Sequence, residues 1–304
     1  MSFSITPLVS VVIPTYNHAH CLGRSLQSVI DQTYTNWEVI VIDNHSSDNT
    51  DAVLKRFSDE RIKILKIHNN GVISASRNVG IYAAFGKWIA FLDSDDWWTP
   101  NKLFRSVSAL EGGADLVYHD LYLVQSRSQT VYQKRTKSSR PHHPIFVTLL
   151  CDGMSIPNSS VVVRRDFLLS IGGISENPDL IAVEDLDTWL RLSQLTEHFV
   201  RIPDCFGYCW IGGGNISTPS SLGIARIRAI YALYTNKLPL KLQRRAKGLL
   251  AYRVGRIAQL HGDVVTAVES MKTALIHPVR IVYRVKAFCV ILQLLFRATA
   301  VTLK

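Results

Sequence analysis

Between residues 8 and 120 the chain alternates short apolar runs with amphipathic stretches. That rhythm restricts the region to βα units building a doubly wound, mostly parallel sheet in an α/β fold. VSVVI at 9–13 reads as the first strand, which Pro14 stops, and the stretch 21–32 puts Leu22, Leu26, Val29 and Ile30 on one helical face. Further strands are expected at 37–42, 62–67, 87–93 and 114–120, with helices opening near Asn49 and Ile73. Sheets of this kind take ligands at the carboxyl ends of their strands.

The pattern then changes. Residues 121–150 are polar and aperiodic and read as an irregular excursion; His142 and His143, between two prolines, read as solvated. Strands are expected at 159–164 and 198–202, flanking a helix that opens near Glu184. Beyond Pro219 the sequence is helical throughout. Gly262 splits the stretch 251–278 into two amphipathic helices and Pro278 ends the second, like one tetratricopeptide hairpin. The apolar stretch from Val285, interrupted by Arg297, is too short for a membrane span and reads as a packed or an interfacial helix.

With 304 residues, 47% hydrophobic and 19% charged, the chain can bury a full-sized core. Residues 1–7 carry no basic side chain, so no cleavable signal is read and a cytoplasmic start is expected. Cys21, Cys151, Cys205, Cys209 and Cys289 are odd in number and lack CxxC spacing, so they read as buried thiols. Residues 221–304 hold 15 of the 34 Lys and Arg but only two of the 24 acids, Asp263 and Glu269, so that stretch carries +13 and the remainder −3. The division suggests a body joined to a basic module that meets something anionic.

Three places carry candidate chemistry. In FLDSDDWW, Asp93, Asp95 and Asp96 crowd three carboxylates at the end of an apolar strand. Such charges repel unless a cation joins them, and hard oxygen ligands suit Mg²⁺ or Mn²⁺ on a diphosphate; a solvated acidic turn is the alternative. In IAVEDLDTWLRL, Glu184 and Asp185 open a helix, where acids serve as caps or, for Asp185, as a base. Asp187 and Arg191 have the spacing of an ordinary ion pair. In VIDNHSSDNT, Asp43 ends a strand, where it can accept a hydrogen bond from a nucleobase or ribose, or simply join the turn made by Ser46, Ser47 and Asp48.

Taken in order, SVVIPTYNHAHCLGRSLQSVIDQTY, VIDNHSSDNT, GVISASRNVGIYAAFGKWIAFLDSDDWW and EDLDTWLRL resemble the family 2 glycosyltransferases of the GT-A fold over roughly residues 8–215. The resemblance implies a GT-A catalytic domain at 1–219 and a basic C-terminal α-helical extension at 220–304. It implies that Pro14, Thr15 and Tyr16 line the base pocket, with Asp43 reading the base edge, most often uracil. Arg77 would face the diphosphate or donor sugar, its alternative being a helix-surface arginine. Asp93 and Asp95 match the metal-binding DxD motif, with Asp96 close by, and Asp185 matches the catalytic base.

The implied reaction moves a sugar from a nucleotide-sugar donor to a sugar or lipid-linked acceptor, with inversion and with Mn²⁺ or Mg²⁺ on the leaving group. A non-catalytic nucleotide-sugar-binding scaffold is the alternative. The chain departs from the family pattern at His45, where relatives place glycine, and at YCWIGGGNIST, where Gly212, Gly213 and Gly214 replace a basic residue and a His; they could bring backbone N–H groups to the diphosphate or form a plain loop. The basic extension has helices with apolar faces suited to an anionic membrane surface, or to packing on the core. It lacks the interleaved exposed aromatics of a nucleic-acid binder, so no nucleic-acid partner is expected.

Overall fold

A computed structural model describes residues 9–126, 128–213 and 219–302. The reading of residues 1–7 and the position of Gly214 lie outside the described residues. The chain divides into two compact units, one comprising 1–141, 155–176 and 191–213, the other 142–154, 177–190 and 214–304.

The first unit is built on an eight-stranded sheet. Its strands are β1 Val9–Thr15, β2 Trp37–Asp43, β3 Ile62–Lys66, β4 Trp88–Phe91, β5 Trp97–Trp98, β6 Leu116–Val124, β7 Val162–Arg164 and β8 Phe199–Trp210, in the order β3-β2-β1-β4-β7-β6-β8-β5. The pairs β3/β2, β2/β1, β1/β4 and β6/β8 are parallel; β4/β7, β7/β6 and β8/β5 are antiparallel. Every residue of β1 and β2 is buried, which is why these strands read as mostly apolar runs. The outer strand β3 instead exposes Lys63, Ile64 and Lys66.

Helices α1 Ala19–Ile30, α2 Thr50–Leu54, α3 Ile73–Ala83 and α4 Lys102–Glu111 follow β1, β2, β3 and β5. On α1, Leu22, Leu26 and Val29 are fully buried, whereas Ile30 is half-buried at the margin of the stripe. Helix α3 packs on β1 and β2 through Gly80, where a Cβ would stand 2.5 Å from Val12 Cγ1 and 2.8 Å from Ile42 Cδ1. Glu38 of β2, 2% exposed, ties these layers together. Its Oε1 accepts from Ser10 Oγ at 2.7 Å and from Phe85 N at 2.7 Å, and its Oε2 accepts from Lys63 Nζ at 2.9 Å. Burial pushes the Glu38 carboxyl up, but these hydrogen bonds outweigh it and hold the group below the usual carboxylate range.

Several expectations need correcting. Residues 121–124 continue β6, and Tyr122 bridges to Arg135, so the polar stretch contains the return of a β-ribbon. Ile145–Cys151 of the same stretch forms a helix, α5. Residues 158–160 are a 3₁₀ turn ahead of β7, and the strand expected at 198–202 extends to Trp210 despite Pro203 and Gly207. Of the five cysteines, Cys21, Cys151 and Cys205 are buried, but Cys209 is half-buried and Cys289 exposed.

In order after α5 come α6 Arg165–Ser170, α7 Glu184–Leu192, α8 Ser221–Thr235, α9 Leu240–His261, α10 Val264–Ile276 and α11 Ile281–Thr302. The second unit holds α5, α8 to α11 and most of α7. As expected, Gly262 separates α9 from α10: it adopts φ +92, closing α9, and Asp263 caps α10 by accepting from Thr266 N at 3.0 Å. The two helices approach through small residues. Gly255 and Ala258 of α9 and Ala267 and Ala274 of α10 are buried, and a Cβ on Gly255 would meet Met271 Cε at 2.9 Å.

Candidate active site

The carboxyl ends of β2, β1 and β4 are neighbours in the sheet, and they gather most of the residues singled out from sequence. Pro14 and Thr15 are buried at the end of β1, and Tyr16 follows at 54% exposure. Thr15 lies in register with Asp43 of β2. Asp43 is fully buried; its Oδ1 accepts from Ser46 N at 3.0 Å and Ser46 Oγ at 2.6 Å. Its Oδ2 lies 3.6 Å from Lys66 Nζ and accepts no hydrogen bond among the described residues, and Thr15 Oγ1 is likewise buried without one. Two adjacent orphaned polar atoms are what a hydrogen-bonding ligand edge would satisfy.

The loops around this pair are laced together. Asn17 N donates to Ser46 Oγ at 2.9 Å, Ser47 N to Asn17 Oδ1 at 2.8 Å and Asn69 N to Asn44 Oδ1 at 2.8 Å. Each of the three loops contains a non-glycine residue in the left-handed region: Asn17 at φ +52, His45 at φ +52 and Asn70 at φ +51. Such conformations cost about 1 kcal/mol or more each and concentrate at functional sites. His45 is exposed and stacks on His68, with ring centroids 3.8 Å apart and planes 11° from parallel.

The turn after β4 holds the acidic motif. Asp93 Oδ1 accepts from Arg77 Nη2 at 2.7 Å and from Asn158 Nδ2 at 3.3 Å, and Asp93 N donates to Ser159 Oγ at 3.1 Å. Arg77 is 5% exposed, so its helix-surface alternative does not hold. Asp96, 5% exposed, accepts from Trp210 N at 2.8 Å through Oδ1. Burial and then the Asp93 charge raise the Asp95 carboxyl above its ordinary value, against His18 and Arg24. Burial, then Asp95 and Asp93, push Asp96 up further. The same carboxylates, after burial, push the nearby Cys209 thiol up.

Side chains from α1 and from the turn before β7 hold this motif in place, and sequence reasoning missed them. Ser25 Oγ donates to Ser94 O at 2.8 Å and also to Asp96 O, and Arg24 Nη2 donates to Asp95 O at 3.2 Å. Trp98 N donates to Ser28 Oγ at 3.1 Å and Trp98 Nε1 to Ser159 O at 2.7 Å. The Arg24 guanidinium lies 3.4 Å over Trp97, and the buried Lys102 ammonium 3.7 Å over Trp98. One signal was available: Ser25 and Ser28 interrupt the apolar face of α1, where only a hydroxyl with a buried partner is tolerated.

Asp185 belongs to the second unit, in the first turn of α7 with Glu184 and Asp187, and its Oδ1 accepts from Leu186 N at 2.7 Å. Asp187 accepts from Tyr234 OH at 2.5 Å, while Arg191 Nη1 donates to the carbonyls of Ile171 and Gly173. Of the glycine run, Gly213 takes φ +116.

Among the described residues no three His, Cys, Asp or Glu side chains form a ready-made metal cage. The acidic turn nevertheless fits a divalent cation of the Mg²⁺ or Mn²⁺ type, which needs only one or two carboxylates when phosphate oxygens and water complete its shell. Burial first and mutual repulsion second raise Asp95 and Asp96, and such a charge would offset the repulsion.

A family model described as Glycosyl transferase family 2 matches residues 10–171. UDP-Glc:alpha-D-GlcNAc-diphosphoundecaprenol beta-1,3-glucosyltransferase WfgD of Escherichia coli is 41% identical over 40% of this chain; that match spans 48% of the relative, about half its length. TuaG of Bacillus subtilis (strain 168), a glycosyltransferase named for teichuronic acid biosynthesis, is 39% identical over 61% of this chain and 72% of its own. Among solved structures, S. aureus TarS 1-349 in complex with UDP-GlcNAc superposes with TM-score 0.60 at 17% identity, covering 88% of each chain. The Pyrobaculum calidifontis mannosyltransferase PcManGT, solved with GDP-Man and Mn²⁺, gives 0.61 at 17% identity over 99% of this chain and 82% of its own. At these identities the structures establish the fold, a GT-A mixed α/β sheet with C-terminal helices. With that fold, with more than half of its residues matched by the family model and with glycosyltransferases as its relatives, this chain belongs to glycosyltransferase family 2.

Proposed function

We propose that the enzyme transfers a sugar from a UDP-sugar to a hydroxyl of a lipid-linked sugar acceptor, with inversion at the anomeric carbon. The observation that carries this reading is the juxtaposition, at neighbouring strand ends, of the orphaned Thr15–Asp43 pair with the cluster of Arg77, Asp93, Asp95 and Asp96. The first offers a polar edge to a nucleobase, beside Pro14 and Tyr16; the second suits a diphosphate. A uridine donor is supported by the UDP-Glc in the name of WfgD and by the UDP-GlcNAc bound to TarS. The diphosphoundecaprenol in the name of WfgD supports a lipid-linked acceptor.

Asp95, with help from Asp93, would hold Mg²⁺ or Mn²⁺, which supplies charge neutralisation on the departing diphosphate. Arg77 orients Asp93 and adds positive charge beside the phosphates, and Asp96 fixes the turn through Trp210. Asp185 takes the proton from the acceptor hydroxyl. As it does so the acceptor oxygen bonds to the anomeric carbon and the bond from that carbon to the phosphate oxygen breaks, its electrons leaving with the nucleoside diphosphate. A single displacement inverts the centre. In this reading residues 1–219 make up the catalytic domain and 220–304 a basic extension that works at the inner face of a membrane, where lipid-linked acceptors are found.

Calorimetric titration of UDP-, GDP- and TDP-sugars with and without Mn²⁺ tests the reading. Metal-dependent binding of a UDP-sugar is expected, weakened about 100-fold or more in Asp95→Ala, the loss of one charge-assisted ligand of about 3 kcal/mol. Absence of binding to every donor under either condition would overturn it.

A further inference from the structure

Helix α11 has two apolar faces. One is buried: Ala287 at 0%, Val290 at 4% and Leu294 at 7% exposure, in a helix that packs on α10. The other points outward. Ile281 is 71% exposed, Val285 54%, Phe288 53%, Leu292 38%, Leu295 55% and Phe296 71%. Their spacing of four, three, four, three and one is that of a single helical stripe, and at 3.6 residues per turn it covers an arc of about 100° opposite the buried face. Exposed large apolar side chains are ordinary when scattered, but a continuous stripe of this size marks a contact surface.

The rim of the stripe identifies what it contacts. Arg284 and Lys286, both exposed, fall on its two sides, Arg280 precedes it, and no acidic residue occurs between 270 and 304. A second copy of α11 laid against the stripe would bring these cations together at the edge of a low-dielectric seam, which opposes pairing. An anionic bilayer satisfies both parts: apolar side chains enter the acyl boundary while the flanking cations meet lipid phosphates. No helix among the described residues is long and apolar enough to cross a membrane, so the contact lies in the plane of the interface.

We propose that the outward face of α11 is the element by which this enzyme docks on an anionic lipid surface. The inference deepens the lipid-linked-acceptor reading and rests on it only for its purpose. Each basic residue near an anionic surface contributes about fivefold to binding.

Flotation of the full chain with phosphatidylcholine vesicles and with vesicles containing 30% phosphatidylglycerol, at low and high salt, reads this directly. Binding is expected on the anionic vesicles, reduced by salt, and reduced about 25-fold in the double variant Arg284→Gln, Lys286→Gln. Phe288→Glu, an exposed change that leaves the buried face intact, is expected to abolish it. A matched Phe104→Glu, also at an exposed site but in the first unit, is expected to float like the wild type. UDP-sugar binding measured on the same samples keeps the two readings apart, because donor binding without flotation removes this inference alone. Flotation that survives Phe288→Glu would overturn it. So would a wild-type dimer that Phe288→Glu converts to monomer, which would assign the stripe to a second copy.

Discussion

His45 occupies a backbone conformation that glycine would adopt without strain, yet its ring is held against His68 beside the Asp43 turn. Replacing it with glycine relieves about 1 kcal/mol of strain but loses a stacked pair and adds unfolded-state entropy, terms of similar size and mixed sign. His45→Gly is therefore expected to leave the melting temperature nearly unchanged while lowering the proposed preference for UDP over GDP about fivefold, one contact of ~1 kcal/mol, as calorimetry would show. Asp96 gives a second residue-scale expectation. Its folded carboxyl sits above the unfolded value, so it favours the folded state at low pH and its contribution is lost as pH rises through the elevated folded value. Without divalent cation, Asp96→Asn should raise the melting temperature by roughly 2–4 °C or more at neutral pH, with the gain vanishing near pH 4 in a scanning-fluorimetry series. The carboxylates themselves could be read from FLDSDDWW; the partners of these aspartates, Ser159, Asn158 and Trp210, could not, because contacts 65 to 114 residues away leave no local pattern.

At the scale of elements, the parallel half of the sheet was legible because strands buried on both faces are apolar along most of their length, as β1 and β2 are. The other half was not. The strand β5 is two tryptophans that read as part of an acidic turn, and β8 runs through Pro203 and Gly207, residues that ordinarily argue against a strand. Helix α3 offers the sharpest test of element packing. Gly80→Ala gains helix propensity of up to about 1 kcal/mol but forces a methyl into Val12 and Ile42, an overpacking cost of about 1–3 kcal/mol. Urea denaturation should show a net loss of about 1–2 kcal/mol, with the strand ends of β1 and β2 shifted enough to weaken donor binding as well.

Across the whole molecule, the acidic turn belongs to one unit and the proposed base to the other. Asp185→Asn is accordingly expected to lower the transfer rate by about 10²–10⁴-fold, the usual worth of general base catalysis, while the donor dissociation constant stays within about twofold. Single-turnover assays alongside calorimetry separate the two. The excess charge of 220–304 could be read from sequence, but the outward stripe of α11 could not, because a helix apolar on both sides looks in sequence like one that is wholly buried. One margin of the sheet that carries the site is β3, which presents Lys63 and Lys66 to solvent. Copies gathered at high density on a bilayer would therefore meet like charges along this margin, which opposes their zipping together there edge to edge into aggregates.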